Sequence, residues 1–426
     1  MIRPVSGGIT APRGFQAAGV ACGIKASGAL DLALIASETV ASAAAVFTTN
    51  KAVAAPVVIS REHLAATRGQ SRAVVCNSGC ANACTGDAGT HVARLMTAEV
   101  ARALGCEAEE VLVASTGVIG VALDPRKVTD GIISAADALA ASSDADGAHA
   151  WSSAAGVATT TSAPVATVST AARAIMTTDP FPKEHAVRVD AGSGRVFHIG
   201  GIAKGSGMIE PMLATMLGFL TCDAQVAPDV LQRALIEACD TTFNAITVDG
   251  ECSTNDSVFA LANGASGVAI DDGNYESLVE GLRAVCLELA LGIVRGGEGA
   301  TKLVSIHVTG ARTYDEAKRA ARAIANSLLV KTAIHGADPN WGRLIAVAGR
   351  CGVAFELSGA KVVIGSTVLF EGGRPFDERA PEAATHLQGK DVRIEVNLGT
   401  GGPEDATIWT CDLSAEYVRI NAEYRT

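Results

Sequence analysis

Three cysteines stand at a regular interval in the first quarter of the chain: Cys76, Cys80 and Cys84, spaced C-x3-C-x3-C. Thiolates gathered this way can hold zinc or an iron–sulfur cluster, so a metal-binding protein is one reading. The interval fits neither a zinc C-x2-C pair nor the common cluster run. No fourth cysteine continues it, and the nearest histidine, His91, falls in the next expected helix. Small-residue packing is the better reading of the three. The eight histidines are dispersed, and neither a G-x-S-x-G elbow nor a P-loop is present. That removes the usual serine-hydrolase and nucleotide-binding readings. The most chemically suggestive stretch is residues 200–219, with Lys204, Gly205-Ser206-Gly207 and Ala214-Thr215. By pattern alone it reads as a Gly-rich loop entering a strand.

The elements that must position these residues alternate along the chain. Short apolar runs at 32–35, 45–48, 57–60 and 73–76 read as strands, the last ending in Asn77-Ser78-Gly79. Residues 89–104 carry Val92, Leu95, Met96 and Val100 at helical spacing, with Gly105 suited to the C-terminal cap. Residues 111–114 read as a buried strand running into a turn at Ser115-Thr116-Gly117, and 125–141 as a helix. Residues 142–164 are small and polar, expected as surface loops around a short helix rather than as a linker. A hairpin is expected over 185–199, turning at Gly192-Ser193-Gly194. Residues 228–238 and 275–294 read as helices. Beyond 300 the chain alternates: strand 303–308, helix 314–325, strand 328–334, helix 341–348, then strands at 362–364, 367–370, 392–396 and 406–410.

Composition sets the outer limits. A chain of 426 residues is long enough for one large domain or two ordinary ones. Aromatics are only 4% while glycine numbers 45, so the core must be built from Ala, Val, Leu and Ile in close backbone contact. That scarcity also argues against single-stranded nucleic-acid binding by stacking. The formal charge of −11, without a basic cluster, makes nucleic acid and anionic membranes poor partners. Eleven scattered cysteines, no leader-like apolar run at Met1 and no span of membrane length imply a reducing, cytoplasmic setting.

Several blocks in order resemble the ornithine acetyltransferase family, the glutamate N-acetyltransferases of arginine biosynthesis. They are Ser115-Thr116-Gly117-Val118-Ile119-Gly120, Ile175-Met176-Thr177-Thr178-Asp179 and Lys204-Gly205-Ser206-Gly207-Met208, followed by Ser253-Thr254-Asn255-Asp256 and Glu298-Gly299-Ala300-Thr301-Lys302. Asp338-Pro339-Asn340-Trp341-Gly342-Arg343 and the C-terminal Tyr417-Val418-Arg419-Ile420-Asn421 through Thr426 complete the series. Each block is modest alone, and their ordered combination is specific. Departures are Cys80, where relatives more often carry Asn or Gly, Pro180 for the common Thr, and Met212-Leu213 for the usual Asn-Met. None touches the Ala214-Thr215 pair.

The resemblance implies self-cleavage between Ala214 and Thr215, giving fragments 1–214 and 215–426. Thr215 then carries both a hydroxyl nucleophile and a free α-amine. An α-amine titrates at about 7.7–8.0, so it can act as the base for its own hydroxyl. The resemblance further implies Thr116 and Gly117 as the oxyanion hole. It implies Thr177, Lys204, Thr215, Glu298, Asn421 and Thr426 as substrate-binding residues. Lys204 suits the substrate α-carboxylate, and Glu298 its amino end. The implied reaction moves an acetyl group from N2-acetylornithine to glutamate through acetyl-Thr215, with no metal or organic cofactor and with acetyl-CoA as a potential second donor.

The implied fold is α/β, a four-layer α/β/β/α core shared by both fragments (1–290), with a smaller α/β domain (291–410). A C-terminal tail (411–426) returns to the site, and the fragments associate as α2β2. Competing readings are a self-processing amidase or aminopeptidase that transfers to water, the metal-binding protein, and a non-catalytic oligomer that stays uncut.

Overall fold

A computed structural model describes residues 1–145, 168–192, 194–210 and 216–423. Ala214, Thr215 and Thr426 lie outside the described residues, as do Met212-Leu213 and residues 146–164 of the small polar stretch.

The first sheet is built from β1 (Ile2–Val5), β2 (Phe15–Val20), β3 (Leu32–Phe47), β4 (Gln70–Cys80), β5 (Val111–Val118), β6 (Lys183–Asp190), β7 (Val196–Lys204), β8 (Leu217–Cys222) and β9 (Ser257–Ala262). The order of neighbours is β1-β6-β7-β8-β9-β3-β4-β5, with β2 also on β3. Its hinge is the sixteen-residue β3. Leu32–Ala36 pairs with β4 and also with β2, while Ser42–Phe47 pairs with β9, and the register shifts between Ala36 and Ala41.

Strand alternation then separates three buried layers. Val74 and Leu112, from one half, share a layer with Ile202, Phe219, Phe259 and Leu261 from the other. The opposite alternates, Val75 and Val113, pack on Met96 and Val100 of α2 (Gly86–Leu104), after α1 (Ala55–Ala66), and on Ile132 of α3 (Pro125–Ala145). After α4 (Val168–Ala174), Leu220 and Val258 pack on Leu231 of α5 (Pro228–Asp240) and on Leu282 and Val285 of α6 (Tyr275–Arg295). The order helix, sheet, sheet, helix is the four-layer α/β/β/α core. Its middle layer is alanine-rich, with Phe219 stacked on Phe259 at 5.7 Å.

A second sheet holds β10 (Leu303–Ala311), β11 (Lys361–Ile364), β12 (Thr367–Glu371), β13 (Arg374–Pro375), β14 (Asp391–Asn397) and β15 (Glu404–Cys411), ordered β13-β12-β11-β14-β10-β15. The helices of this part are α7 (Tyr314–Ala325), α8 (Leu328–His335), α9 (Trp341–Arg350) and α10 (Ala380–Leu387), with α11 (Ala415–Glu423) closing the chain. Its core is separate, with Val304, Ile306 and Ile394 against Ala321, Ile324 and Val347.

Four local expectations are corrected. Residues 57–60 form part of α1, not a strand; Pro56 sits in its first turn, and burial at Pro56, Val57, Ile59, Ser60 and His63 follows a helical stripe. Residues 328–334 are α8, where Ser327 caps the helix by accepting from the Val330 N–H. Ser115-Thr116-Gly117 is no separate turn, since β5 runs on to Val118. Residues 142–145 continue α3.

The three regularly spaced cysteines do not converge. Cys76 lies in the layer between the sheet halves, Cys80 in the layer beneath α2 and α3, and Cys84 is exposed. Burial pushes the Cys76 thiol up to about 12, away from the thiolate a metal would need. Among the described residues no group of three His, Cys, Asp or Glu is gathered as a metal would require. The metal reading of this cluster fails on that geometry.

Candidate active site

The ends of β5 and β7, the start of β8, the loop before β9 and the turn after α6 line a cavity of about 140 Å³. Thr116, Gly117, Thr177, Lys204, Glu298 and Asn421 all line it. Met216, the residue after Thr215 in the chain, lines it too. Of the expected site residues, Thr215 and Thr426 fall outside the description.

Thr116 and Gly117 end the parallel pair of β4 and β5, where Gly79 stands opposite Gly117 and the register shifts. Gly117 has φ +128°, and a Cβ there would lie 2.4 Å from the Gly79 carbonyl carbon and 2.6 Å from the Cys80 nitrogen. Only glycine gives this approach and this backbone angle. Asn255 ties the opposite loop to the same place, donating to the Ser115 carbonyl at 2.9 Å and the Ala81 carbonyl at 2.6 Å.

Lys204 is the last residue of β7, paired with Leu217 across the antiparallel β7–β8 ladder. Its Nζ donates to Thr116 Oγ1 at 3.0 Å. A hydroxyl that accepts from an ammonium keeps its own proton free to donate elsewhere. Thr116 therefore has the polarity an oxyanion donor needs, and Gly117 adds a backbone N–H beside it.

Behind Lys204 lies a buried acid. Asp179 accepts from the Gly205 N–H at 2.8 Å, the Thr177 N–H at 3.0 Å and Lys183 Nζ at 2.5 Å. Burial alone would raise its carboxyl, but the Lys183 and Lys204 charges and these hydrogen bonds hold it below the usual carboxylate range. One side chain thus fixes two cavity segments that are far apart in sequence.

Glu298 forms the other wall. Its Oε1 accepts from Thr178 Oγ1 at 2.8 Å and its Oε2 from Asn421 Nδ2 at 2.7 Å. A Cβ on Gly207 would stand 2.5 Å from Glu298 Oε2, so the glycine makes room for this carboxylate. Gly299, at φ +68°, does the same for α11: a Cβ there would come within 2.5 Å of the Tyr417 nitrogen. Tyr417 donates to Asp249 Oδ2 at 3.2 Å, and Asp249 also accepts from the Met208 and Ile209 N–H groups at 2.7 and 2.8 Å. This carboxylate clamps the start of the segment leading to Thr215.

Sequence reasoning left Asp249, Asn255, Asp256 and Tyr417 without roles. The polar run Ser253-Thr254-Asn255-Asp256, set directly before the wholly buried β9, was the available signal.

Fold and cavity define a four-layer α/β/β/α protein whose site gathers Thr116 and Gly117, a lysine and a glutamate around one cavity. The ArgJ family model matches residues 16–426, and the chain belongs to that family. It is 46% identical over 440 residues to the arginine biosynthesis bifunctional protein ArgJ of Thermosynechococcus vestitus, covering 99% of each chain. It is 47% identical to the protein of that name from Dehalococcoides mccartyi, covering 99% of this chain and 98% of the relative. Among solved structures, ornithine acetyltransferase of Mycobacterium tuberculosis, complexed with ornithine, is 40% identical. The match covers 50% of this chain and 100% of that one, with a TM-score of 0.41.

Proposed function

We propose that this protein transfers an acetyl group from N2-acetylornithine to glutamate, after cutting itself between Ala214 and Thr215. The observation that carries the reading is the cavity where Thr116, Gly117, Lys204 and Glu298 converge and whose wall includes Met216, one residue beyond the cut. Family membership over nearly the whole chain supports the same reaction.

In the uncut chain the Thr215 hydroxyl attacks the Ala214 carbonyl, the peptide becomes an ester, and water opens it. The new α-amine then takes the hydroxyl proton as Thr215 attacks the donor's acetyl carbonyl. Negative charge develops on the carbonyl oxygen, where the Thr116 hydroxyl and the Gly117 N–H receive it. Collapse releases ornithine and leaves acetyl-Thr215. The glutamate amine attacks that ester, giving N-acetylglutamate and restoring the hydroxyl. Lys204 takes the substrate α-carboxylate, and Glu298, with Asn421, the cationic end of ornithine; Thr177 and Thr426 complete the binding set. These steps need no cofactor.

The relatives' printed name, a bifunctional protein, supports acetyl-CoA as a second donor. The cut separates fragments 1–214 and 215–426 within one shared core, and the further association is α2β2 in the cytoplasm. Ping-pong kinetics with both substrates test the reaction. Acetyl release to water with no need for an amine acceptor would instead make it an amidase.

A further inference from the structure

Asp256 lines the cavity, yet no step above employs it. It is 3% exposed, and its Oδ2 meets no hydrogen-bond partner among the described residues. A buried carboxyl oxygen without a partner is costly, and such groups in native proteins point to a ligand or a chemical task. The backbone around it is firmly held. The preceding Asn255 is bonded to the Ser115 and Ala81 carbonyls, the Asp256 carbonyl accepts from the Thr48 N–H at 2.9 Å, and the following Ser257 N–H donates to the Met216 carbonyl at 3.0 Å. The backbone that carries this carboxyl is thereby tied both to the end of β5 and to the segment that begins β8.

The charged and titratable groups around the cavity are Lys204 from β7, Asp249 and Glu251 from the loop before β9, Glu298 from the turn after α6, and Tyr417 from α11. Four of them are already engaged: Lys204 with Thr116, Tyr417 with Asp249, Asp249 also with two N–H groups, and Glu298 with Thr178 and Asn421. Burial pushes the Asp256 carboxyl well above the ordinary carboxylate range, against the pull of Ser253 and of the Lys204 charge. A carboxyl so placed, lining the cavity with one oxygen unpartnered, can exchange a proton with an amine bound beside it.

We propose that Asp256 binds a primary amine in the cavity, its free Oδ2 accepting the amine N–H and holding the proton that an ammonium must lose before its nitrogen can act. The proposal rests on the acetyl-transfer reading. The step moves one proton: it leaves an ammonium nitrogen for Oδ2, giving a free amine and a neutral carboxyl, and later goes back to a departing amine or to solvent. Two amines have this chemistry, the α-amine created at residue 215 and the amine of the amino-acid acceptor.

Asp256→Asn keeps the shape and removes the proton site. Ornithine release with acetylornithine alone, and decay of the acetyl-enzyme in glutamate or in water, are followed across pH. Loss of about 10²-fold in both halves, with a displaced pH profile, assigns the α-amine. Loss confined to the glutamate step, with raised glutamate KM and unchanged decay in water, assigns the acceptor. Unchanged half-reactions and an unchanged profile would overturn the proposal. Should the variant fail to fold, the neutral-carboxyl infrared band of the wild-type enzyme provides the test. A change in its intensity on adding glutamate or methylamine, reporting proton exchange between the amine and the carboxyl, supports amine binding, and a band unmoved by either overturns it. Wild-type enzyme that neither cuts itself nor releases ornithine would sink the acetyl-transfer reading instead, leaving the infrared test to decide Asp256 alone.

Discussion

At the scale of single residues, two positions on β5 and one on β7 are placed for the proposed chemistry. Gly117 has no room for a side chain against Gly79 and Cys80. Gly117→Ala should push the strand end outward and carry its N–H away from the developing oxyanion. Loss of one such donor typically lowers kcat about 10²–10³-fold, and steady-state kinetics on the folded variant would check it; full activity would remove Gly117 from the mechanism. Lys204→Met removes a cation that the Thr116 hydroxyl accepts from. Its expected signature is a raised KM for both substrates, since both carry an α-carboxylate. An unchanged KM for both would refute the carboxylate assignment. The other key side chains of the wall, Glu298 and Asn421, are already hydrogen-bonded to each other, so either one truncated leaves its partner exposed to the cavity.

At the scale of elements, Asp179 joins the segment after α4 to the turn after β7 through the Thr177 and Gly205 N–H groups. Its ion pair with Lys183 is almost wholly buried. Removing one partner of such a pair costs about 3–5 kcal/mol, because the other charge is stranded. Asp179→Asn should lose that much in urea unfolding at neutral pH. Because the native carboxyl sits below its unfolded value of about 3.9, its contribution is present above that value. It is lost as pH falls through the lower native one. The gap between wild type and variant should therefore be constant above about pH 5 and narrow steadily as pH falls below about 4; a gap independent of pH would contradict the assignment.

Much of this scale was legible in the sequence. Val92, Met96 and Val100 are buried as helical spacing predicts, and Gly105 caps α2 in the left-handed conformation at φ +67°. The misreadings at α1 and α8 share a cause: Val57, Val58 and Ile59 are β-branched, and Leu328-Leu329-Val330 is a solid apolar run, so local preference looked extended. Burial instead follows helical spacing, at Val57, Ile59 and Ser60 in α1 and at Val330, Ala333 and Ile334 in α8, and Pro56 and Ser327 were the overlooked start signals. The oxyanion pair, Lys204 and Glu298 entered through ordered motifs. Asp249 lay outside those motifs, and Tyr417 stood in one without a role, because their contact spans 168 residues and exists only once α11 folds back.

The proposed cut falls, at the scale of the whole molecule, inside one sheet and not between domains. Strands β7 and β8, on either side of it, are paired from Ile199–Cys222 to Lys204–Leu217, and β9 pairs with β3 from Ser42–Ala262 to Phe47–Ser257. Their side chains also share one buried layer. Severing one peptide bond removes none of this, so the fragments should co-elute on size exclusion and separate only in denaturant; separation in native buffer would contradict a shared core. The acidic net charge and the scarcity of aromatics fit the proposed ligand, a small charged amino acid held by polar groups.

Intact mass spectrometry of the purified protein, incubated with N2-acetylornithine alone, tests the central claim most directly. The expected result is two polypeptides, 1–214 and 215–426, with one acetyl group on the second, at Thr215, removed when glutamate is added. A single uncut chain, or a cut chain that acquires no acetyl group on Thr215, would contradict it.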